Sequence, residues 1–209
     1  MELKEAIQKR ASVRLFTDEK VPFEDIKEMI TRASLAPSIN NSQPWKFIAI
    51  TNRELIKNMS SVVQNKVEQI FPHGNLKANI LVQNKVAKFS TFFMDAPLVI
   101  AVIMTPYEAA VDDLLSGTAL THDDINKMRN YPNIQSIGAA IENLLLTSVD
   151  LGYGACWLSG LLIARDELEK LLDVRPPLSL AAFVAVGKPK ESVRQREKKS
   201  LEDIFEIRE

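Results

Sequence analysis

Two uninterrupted apolar runs, APLVIAVIM (96–104) and LAAFVAVG (180–187), most narrow what this chain can fold into. Each is too short to span a membrane and too apolar for a solvated face, so each reads as a buried strand. A third segment, Ile134 to Leu151, carries Ile137, Ala140, Ile141, Leu144, Leu145, Leu146 and Val149 over well over half of a helical circumference. Such a helix is buried on most sides, and Gly152 stands where it should end.

The rest of the chain supplies partners for these segments. Leu3, Ala6 and Ile7 predict a short amphipathic helix ending near Arg10. Pro22 can open a second helix, roughly 22 to 35, with Ile26, Met29, Ile30 and Ala33 at helical spacing and Pro37 as breaker. SINNSQP is turn chemistry leading into WKFIAI, where Trp45, Phe47 and Ala49 alternate as in a strand. Residues 52 to 94 read as two helices broken near Phe71-Pro72-His73-Gly74. Residues 105 to 133 are polar and irregular with some helix around 107–115, the natural place for a lid over a substrate. GACWLSG reads as a strand and turn, RDELEKLLDV as a helix stopped by Pro176-Pro177, and SLEDIFEIRE as an added edge strand. The pattern contains no repeat or linker, so one α+β domain over 1–209 is expected, with about four strands.

Composition excludes several functions. With 26 basic and 27 acidic groups the net charge is −1, so no global field attracts nucleic acid or an anionic membrane, and any bound anion must be held locally. One cysteine, Cys156, and two histidines, His73 and His122, leave no basis for a disulfide, a cysteine-held metal or a His-rich metal site. A charged N-terminus without an apolar signal core predicts a cytoplasmic protein. Cys156 reads as a small core residue rather than a redox thiol, and Trp45 and Trp157 as core or ligand-adjacent packing. His122, in THDD, reads as solvated or as a helix cap.

Chemistry concentrates in two motifs. Arg10, Ser12 and Arg14 alternate in R-A-S-V-R, so in an extended segment two guanidiniums and a hydroxyl face one way and can converge on a phosphate. A-P-S-I-N-N-S-Q-P-W (36–45) resembles the helix-to-strand loop of the nitroreductase family, and R-A-S-V-R stands at that family's usual distance upstream. S-I-G-A-A-I-E-N-L-L-L from Ser136 resembles the family's central dimer helix, and G-Y-G-A-C-W-L-S-G (152–160) its glycine-rich strand and turn. Val186-Gly-Lys-Pro followed by Arg196, Lys198 and L-E-D-I resembles its tail, so the likeness runs from Arg10 to about Ile204.

This resemblance implies a nitroreductase-like fold: a mixed, mostly antiparallel sheet of about four to five strands flanked by helices, with a domain-swapped C-terminal extension in a homodimer. It implies FMN at the subunit interface. Arg10, Ser12 and Arg14 would hold phosphate, ribityl chain and pyrimidine edge, with Arg196 and Lys198 at the phosphate. Pro37, Ser38, Ile39 and Asn41 would come from the other subunit. Leu158, Ser159 and Gly160 would meet the ring, the last two through backbone N–H groups where negative charge grows. Ile39 stands where the family usually has serine, and Lys198 where arginine is common. The implied activity is an NAD(P)H oxidoreductase passing hydride through flavin N5 to a small oxidant (nitroaromatic, quinone or enone) by a ping-pong route. No protein acid or base is required in the hydride step, and no metal. No G-x-G-x-x-G fingerprint occurs, so NADH or NADPH would bind transiently over the flavin. The alternatives are a non-catalytic FMN storage or redox-sensing protein, and a family relative with dehalogenase or flavin-fragmenting chemistry.

Overall fold

Both apolar runs become the centre of one sheet. The computed structural model describes residues 1–71, 85–109 and 111–209. Its strands β1 (Trp45–Ile50), β2 (Leu98–Met104), β3 (Gly154–Leu158) and β4 (Ser179–Gly187) lie in the order β1-β2-β4-β3, and every pair is antiparallel. Successive side chains of a strand point to opposite faces, and here both faces are covered. Leu98, Ile100 and Val102 pack with Val184 and Val186 beneath α2 (Phe23–Ala33) and α5 (Pro132–Asp150). Val99, Ala101 and Ile103 pack with Phe183 and Ala185 beneath α3 (Arg53–Ile70) and α6 (Arg165–Leu171). A strand covered on both sides has no place for polar side chains, which explains the unbroken apolar runs.

Local chemistry sets the element ends. Asn52 Oδ1 accepts from the N–H groups of Glu54 and Leu55 at 3.0 and 3.1 Å and so caps α3. Pro132 opens α5, two residues before the expected start, and Gly152 follows its end at φ 78, a conformation that costs glycine little. α1 (Leu3–Lys9) matches its expectation.

The remaining expectations meet the structure unevenly. Helix α4 (His122–Met128) forms inside the segment read as irregular, because Thr121 and Asp124 make a reciprocal capping box that T-H-D-D already spelled out. The helix expected around 107–115 is, among the described residues, the short 3-10 segment Asp112–Leu115. SLEDIFEIRE forms no strand within this chain; Leu201, Ile204, Phe205 and Ile207 project from it exposed. Of the two readings of Trp157 the core one fails, since it is 44% exposed at the sheet edge, and Ala49 is exposed on its strand. The first helix of 52–94 ends at Ile70 and residues 85–91 are helical; the break expected at Pro72-His73-Gly74 lies outside the described residues.

The N-terminal segment after α1 lies along the free edge of β3. Ser12 forms a parallel bridge with Ala155, and the Val13 N–H donates to the Ala155 carbonyl at 3.0 Å. That bridge adds a parallel element to the antiparallel sheet. The tail then returns past the same segment: Thr17 N–H donates to Lys188 O at 2.8 Å and Lys190 N–H to Leu15 O at 3.0 Å.

Candidate functional site

Alternation in R-A-S-V-R is realised. Ala11 and Val13 are buried against the sheet, which turns Arg10, Ser12 and Arg14 outward on one side. Gly154 permits this approach, because a Cβ built there would lie 2.5 to 2.9 Å from three carbons of Val13. The tail crosses the same place. Gln195 Nε2 donates to the carbonyls of Ile7 and Arg10 at 2.6 and 2.8 Å, satisfying acceptors left open at the end of α1.

Between segment and tail lies a cavity of about 280 Å³ lined by Arg10, Ser12, Arg14, Arg194, Arg196 and Lys198 together with Ala11, Val193 and Gln195. Five of these side chains are cationic and none is acidic. Arg10 Nε stands 3.8 Å from Glu142 Oε1, too far for a hydrogen bond, and Arg14 Nη1 donates weakly to Ser12 O at 3.3 Å. Arg14 also lies 5.9 Å from the centre of the Phe92 ring, which steadies its guanidinium. Guanidinium forks and a hydroxyl around an open volume suit a phosphate-sized dianion.

Five predicted residues thus meet in one cavity: Arg10, Ser12, Arg14, Arg196 and Lys198. Leu158 is buried at the end of β3, and Ser159 and Gly160 are exposed at the turn that follows it. They lie on the edge that carries the Ser12 bridge, four residues beyond Ala155 at Ser159, or about 13 Å along an extended strand. Pro37, Ser38, Ile39 and Asn41 do not line the cationic cavity of the same chain. They form a turn against the start of α5, where the Ile39 N–H donates to Ser136 Oγ at 3.0 Å and Ser38 Oγ accepts from Gln43 N–H at 3.0 Å. Asn40, Asn41 and Gln43 all have positive φ (51, 53 and 47), a left-handed run that asparagine tolerates better than most residues.

Sequence reasoning missed Gln195, Arg194 and Gly154 as parts of this site. Arg194 was recoverable, since it alternates with Arg196 and Lys198 in one extended tail. Gln195 carries no such signal, because a glutamine in a polar stretch looks like any other. Cys156 is buried next to Ser12, and burial pushes its thiol pKa up against the opposing influence of Arg14, Ser12 and Arg10, which disfavours the thiolate. The helix-cap reading of T-H-D-D holds for the cluster, with Thr121 and Asp124 as the cap, while His122 Nδ1 lies 2.9 Å from both oxygens of Asp112. Among the described residues there is no group of three or more metal-ligating side chains, and no helix is long and apolar enough to cross a membrane.

The model of the nitroreductase family matches residues 7–188, which takes in R-A-S-V-R, the 36–45 loop and the whole sheet. The chain belongs to the nitroreductase family. A BluB-like flavoprotein from Clostridium difficile 630 is 32% identical and superposes with a TM-score of 0.89 over 100% of both chains. An Archaeoglobus fulgidus protein provisionally named NADH dehydrogenase/NAD(P)H nitroreductase is 28% identical over 189 residues, 88% of this chain and 84% of the relative. A nitroreductase with bound FMN from Desulfitobacterium hafniense DCB-2 shares the fold at 18% identity, with a TM-score of 0.72 and complete coverage of both chains. The four-stranded α+β architecture is therefore the fold of this family.

Proposed function

We propose that this nitroreductase-family chain is an FMN-dependent oxidoreductase. It works as a homodimer, takes hydride from NADH or NADPH and gives it to a small oxidised acceptor: a nitroaromatic, quinone or enone. The observation that carries this reading is the cationic cavity, whose five basic side chains come from opposite ends of the chain. A phosphate monoester carries about −1.5 to −2 charges at neutral pH, and this cluster matches it in a protein whose net charge is only −1. FMN held there by Arg10, Ser12, Arg14, Arg196 and Lys198 would supply the hydride chemistry, through its isoalloxazine ring.

The protein's own part is to bind and orient. Arg10, Ser12 and Arg14 hold the phosphate, ribityl and pyrimidine side, and Arg196 and Lys198 add charge at the phosphate. Arg194 joins them, and Gln195 fixes the tail that carries all three cations. Leu158, buried in the core, anchors the end of β3, where Ser159 and Gly160 offer backbone N–H groups to the ring. Pro37, Ser38, Ile39 and Asn41 reach the ring from the second subunit. Ile39 does so by packing, because its N–H is already committed to Ser136. Support for a second subunit comes from apolar surface left bare in one chain. Ile134 on α5 is 45% exposed, Trp157 is 44% exposed beside Gly138, and the tail projects four large apolar side chains. Relatives that are flavoproteins, one solved with FMN, support the cofactor.

Absorbance of the purified protein tests the proposal, followed by anaerobic mixing with NADH and with NADPH. The expected result is a yellow dimer bleached by at least one of the two nicotinamides. Arg10→Ala is expected to lose flavin while remaining a folded dimer. A colourless monomer that ignores added FMN overturns the proposal, and unchanged flavin content in Arg10→Ala removes that residue from the site.

A further inference from the structure

A second cavity, about 600 Å³, lies on another part of the molecule, between the end of β2, the 105–115 segment, α4 and the start of α5. Its polar lining is organised by directed hydrogen bonds. The Tyr107 hydroxyl donates to Asn126 Oδ1 at 2.7 Å, Asn126 Nδ2 donates to Asn133 Oδ1 at 3.2 Å, and Asn133 Nδ2 reaches Met104 Sδ at 3.1 Å. Asn126 and Asn133 are buried, so this chain is held in one direction. Beside it, His122 Nδ1 faces the Asp112 carboxylate at 2.9 Å, and Asp112 also accepts the Ala109 N–H at 2.7 Å. These contacts hold Asp112 below its ordinary pKa, the Ala109 bond first and His122 next, so it remains a carboxylate and an acceptor. Burial pushes the Tyr107 pKa up, which keeps its proton on the bond to Asn126.

The consequence is a count of what remains for a ligand. Tyr107 has spent its only proton and keeps oxygen lone pairs. His122 is committed through Nδ1 to Asp112. Asp123, also in the lining, adds another acceptor. The Tyr107 and His122 rings stand edge to face, centroids 4.9 Å apart, while Pro106, Leu115 and Pro177 give apolar surface. Arg129, whose charge is felt at Tyr107 and Asp112, does not line the cavity.

We infer that this cavity is a binding subsite for a neutral aromatic ring bearing a hydrogen-bond donor, the phenol class, with the ring hydroxyl donating to Tyr107 Oη. The binding itself requires no cofactor. The cavity adjoins the 37–44 loop, because the Thr105 N–H donates to Pro44 O at 3.2 Å and Ile39 is tied to Ser136 one turn from Asn133. That neighbourhood makes it the pocket for a hydroxyaryl part of the acceptor, a step that rests on the proposed function.

Isothermal titration with 4-methylphenol and 4-methylanisole, which differ in the donor hydrogen, is the test. Saturable binding of 4-methylphenol at least tenfold tighter than 4-methylanisole is expected. Tyr107→Phe should reduce that preference several-fold. Equal affinity for both ligands, no saturable binding of 4-methylphenol, or an undiminished preference in Tyr107→Phe overturns the inference. The wild-type comparison decides alone if that variant fails to fold. A colourless protein that still prefers 4-methylphenol sinks the flavin reading and keeps this one; a yellow, nicotinamide-reducible protein without the preference does the reverse.

Discussion

Gly154→Ala is the most informative single change, because its cost can be worked from contacts. The added Cβ meets Val13 Cγ2 at 2.5 Å, Cβ at 2.7 Å and Cγ1 at 2.9 Å. Rotating Val13 moves its methyl groups but leaves its Cβ in place, so side-chain relaxation cannot clear the clash. The N-terminal segment must instead retreat from β3 by about 1 Å to reach ordinary van der Waals separation. That retreat stretches the 3.0 Å bond from Val13 N–H to Ala155 O beyond hydrogen-bond range. Overpacking of about 1–3 kcal/mol and a lost hydrogen bond of about 1 kcal/mol give about 2–4 kcal/mol of destabilisation. At about 2–4 °C per kcal/mol for a chain of this size, Tm should fall by about 4–16 °C. Urea unfolding at fixed protein concentration measures the cost, and flavin affinity should weaken with it, since Ser12 moves with Val13. Val13→Gly removes all three clashing atoms, so in that background Gly154→Ala should cost almost nothing. The same penalty in both backgrounds would refute the steric argument.

Two further outcomes follow from single contacts. Tyr153 is buried and its hydroxyl donates to Asp25 Oδ2 at 2.6 Å; burial first, then Asp25, push its pKa up to about 12. A raised folded-state pKa stabilises the fold below the unfolded value of about 10 and loses that contribution as pH climbs toward about 12. Tyr153→Phe should therefore be destabilised at neutral pH and should differ less and less from wild type across that window; parallel stability curves from pH 9 to 12 rule this out. Gln195→Glu replaces a double donor with an acceptor facing the carbonyls of Ile7 and Arg10. Flavin affinity should fall about tenfold or more, roughly 1.4 kcal/mol, and further than in Gln195→Ala, as fluorescence titration would reveal; equal affinities in the two variants would show that Gln195 does not hold the tail.

Elements governed by local pattern were legible, and those governed by contacts distant in sequence were not. β2 and β4 announced themselves because a doubly covered strand excludes polar residues, and R-A-S-V-R announced its alternation because Ala11 and Val13 need the sheet. The cap in T-H-D-D was equally local and legible, whereas the short helix behind it was hidden by residues that looked irregular. By contrast, Gly154 owes its identity to Val13, and Gln195 to the carbonyls of Ile7 and Arg10, partners that no periodicity links to them. Trp157 left two readings open because an aromatic residue in a strand usually packs inward, whereas β3 is the sheet's edge and its outer face stays open in one chain. The tail misled for a related reason: alternation in Ile204, Glu206, Phe205 and Ile207 has no neighbouring edge within the chain to pair with.

The cationic cavity ties these threads to the stability of the molecule. Five like charges within one small volume repel one another, and a net charge of −1 gives no acidic background to relieve them. Three of the five sit on a tail without regular secondary structure, fixed to the body near the cavity by Gln195 and by the pairing of Lys190 with Leu15. An anion bound between Arg194, Arg196, Lys198 and Arg10, Arg14 would replace that repulsion with attraction, so under the proposed function flavin adds to stability through linkage. The sheet, paired by its ladders and buried on both faces, does not depend on that ligand. Flavin should therefore raise Tm in a concentration-dependent way, and a Tm indifferent to added FMN would refute the linkage.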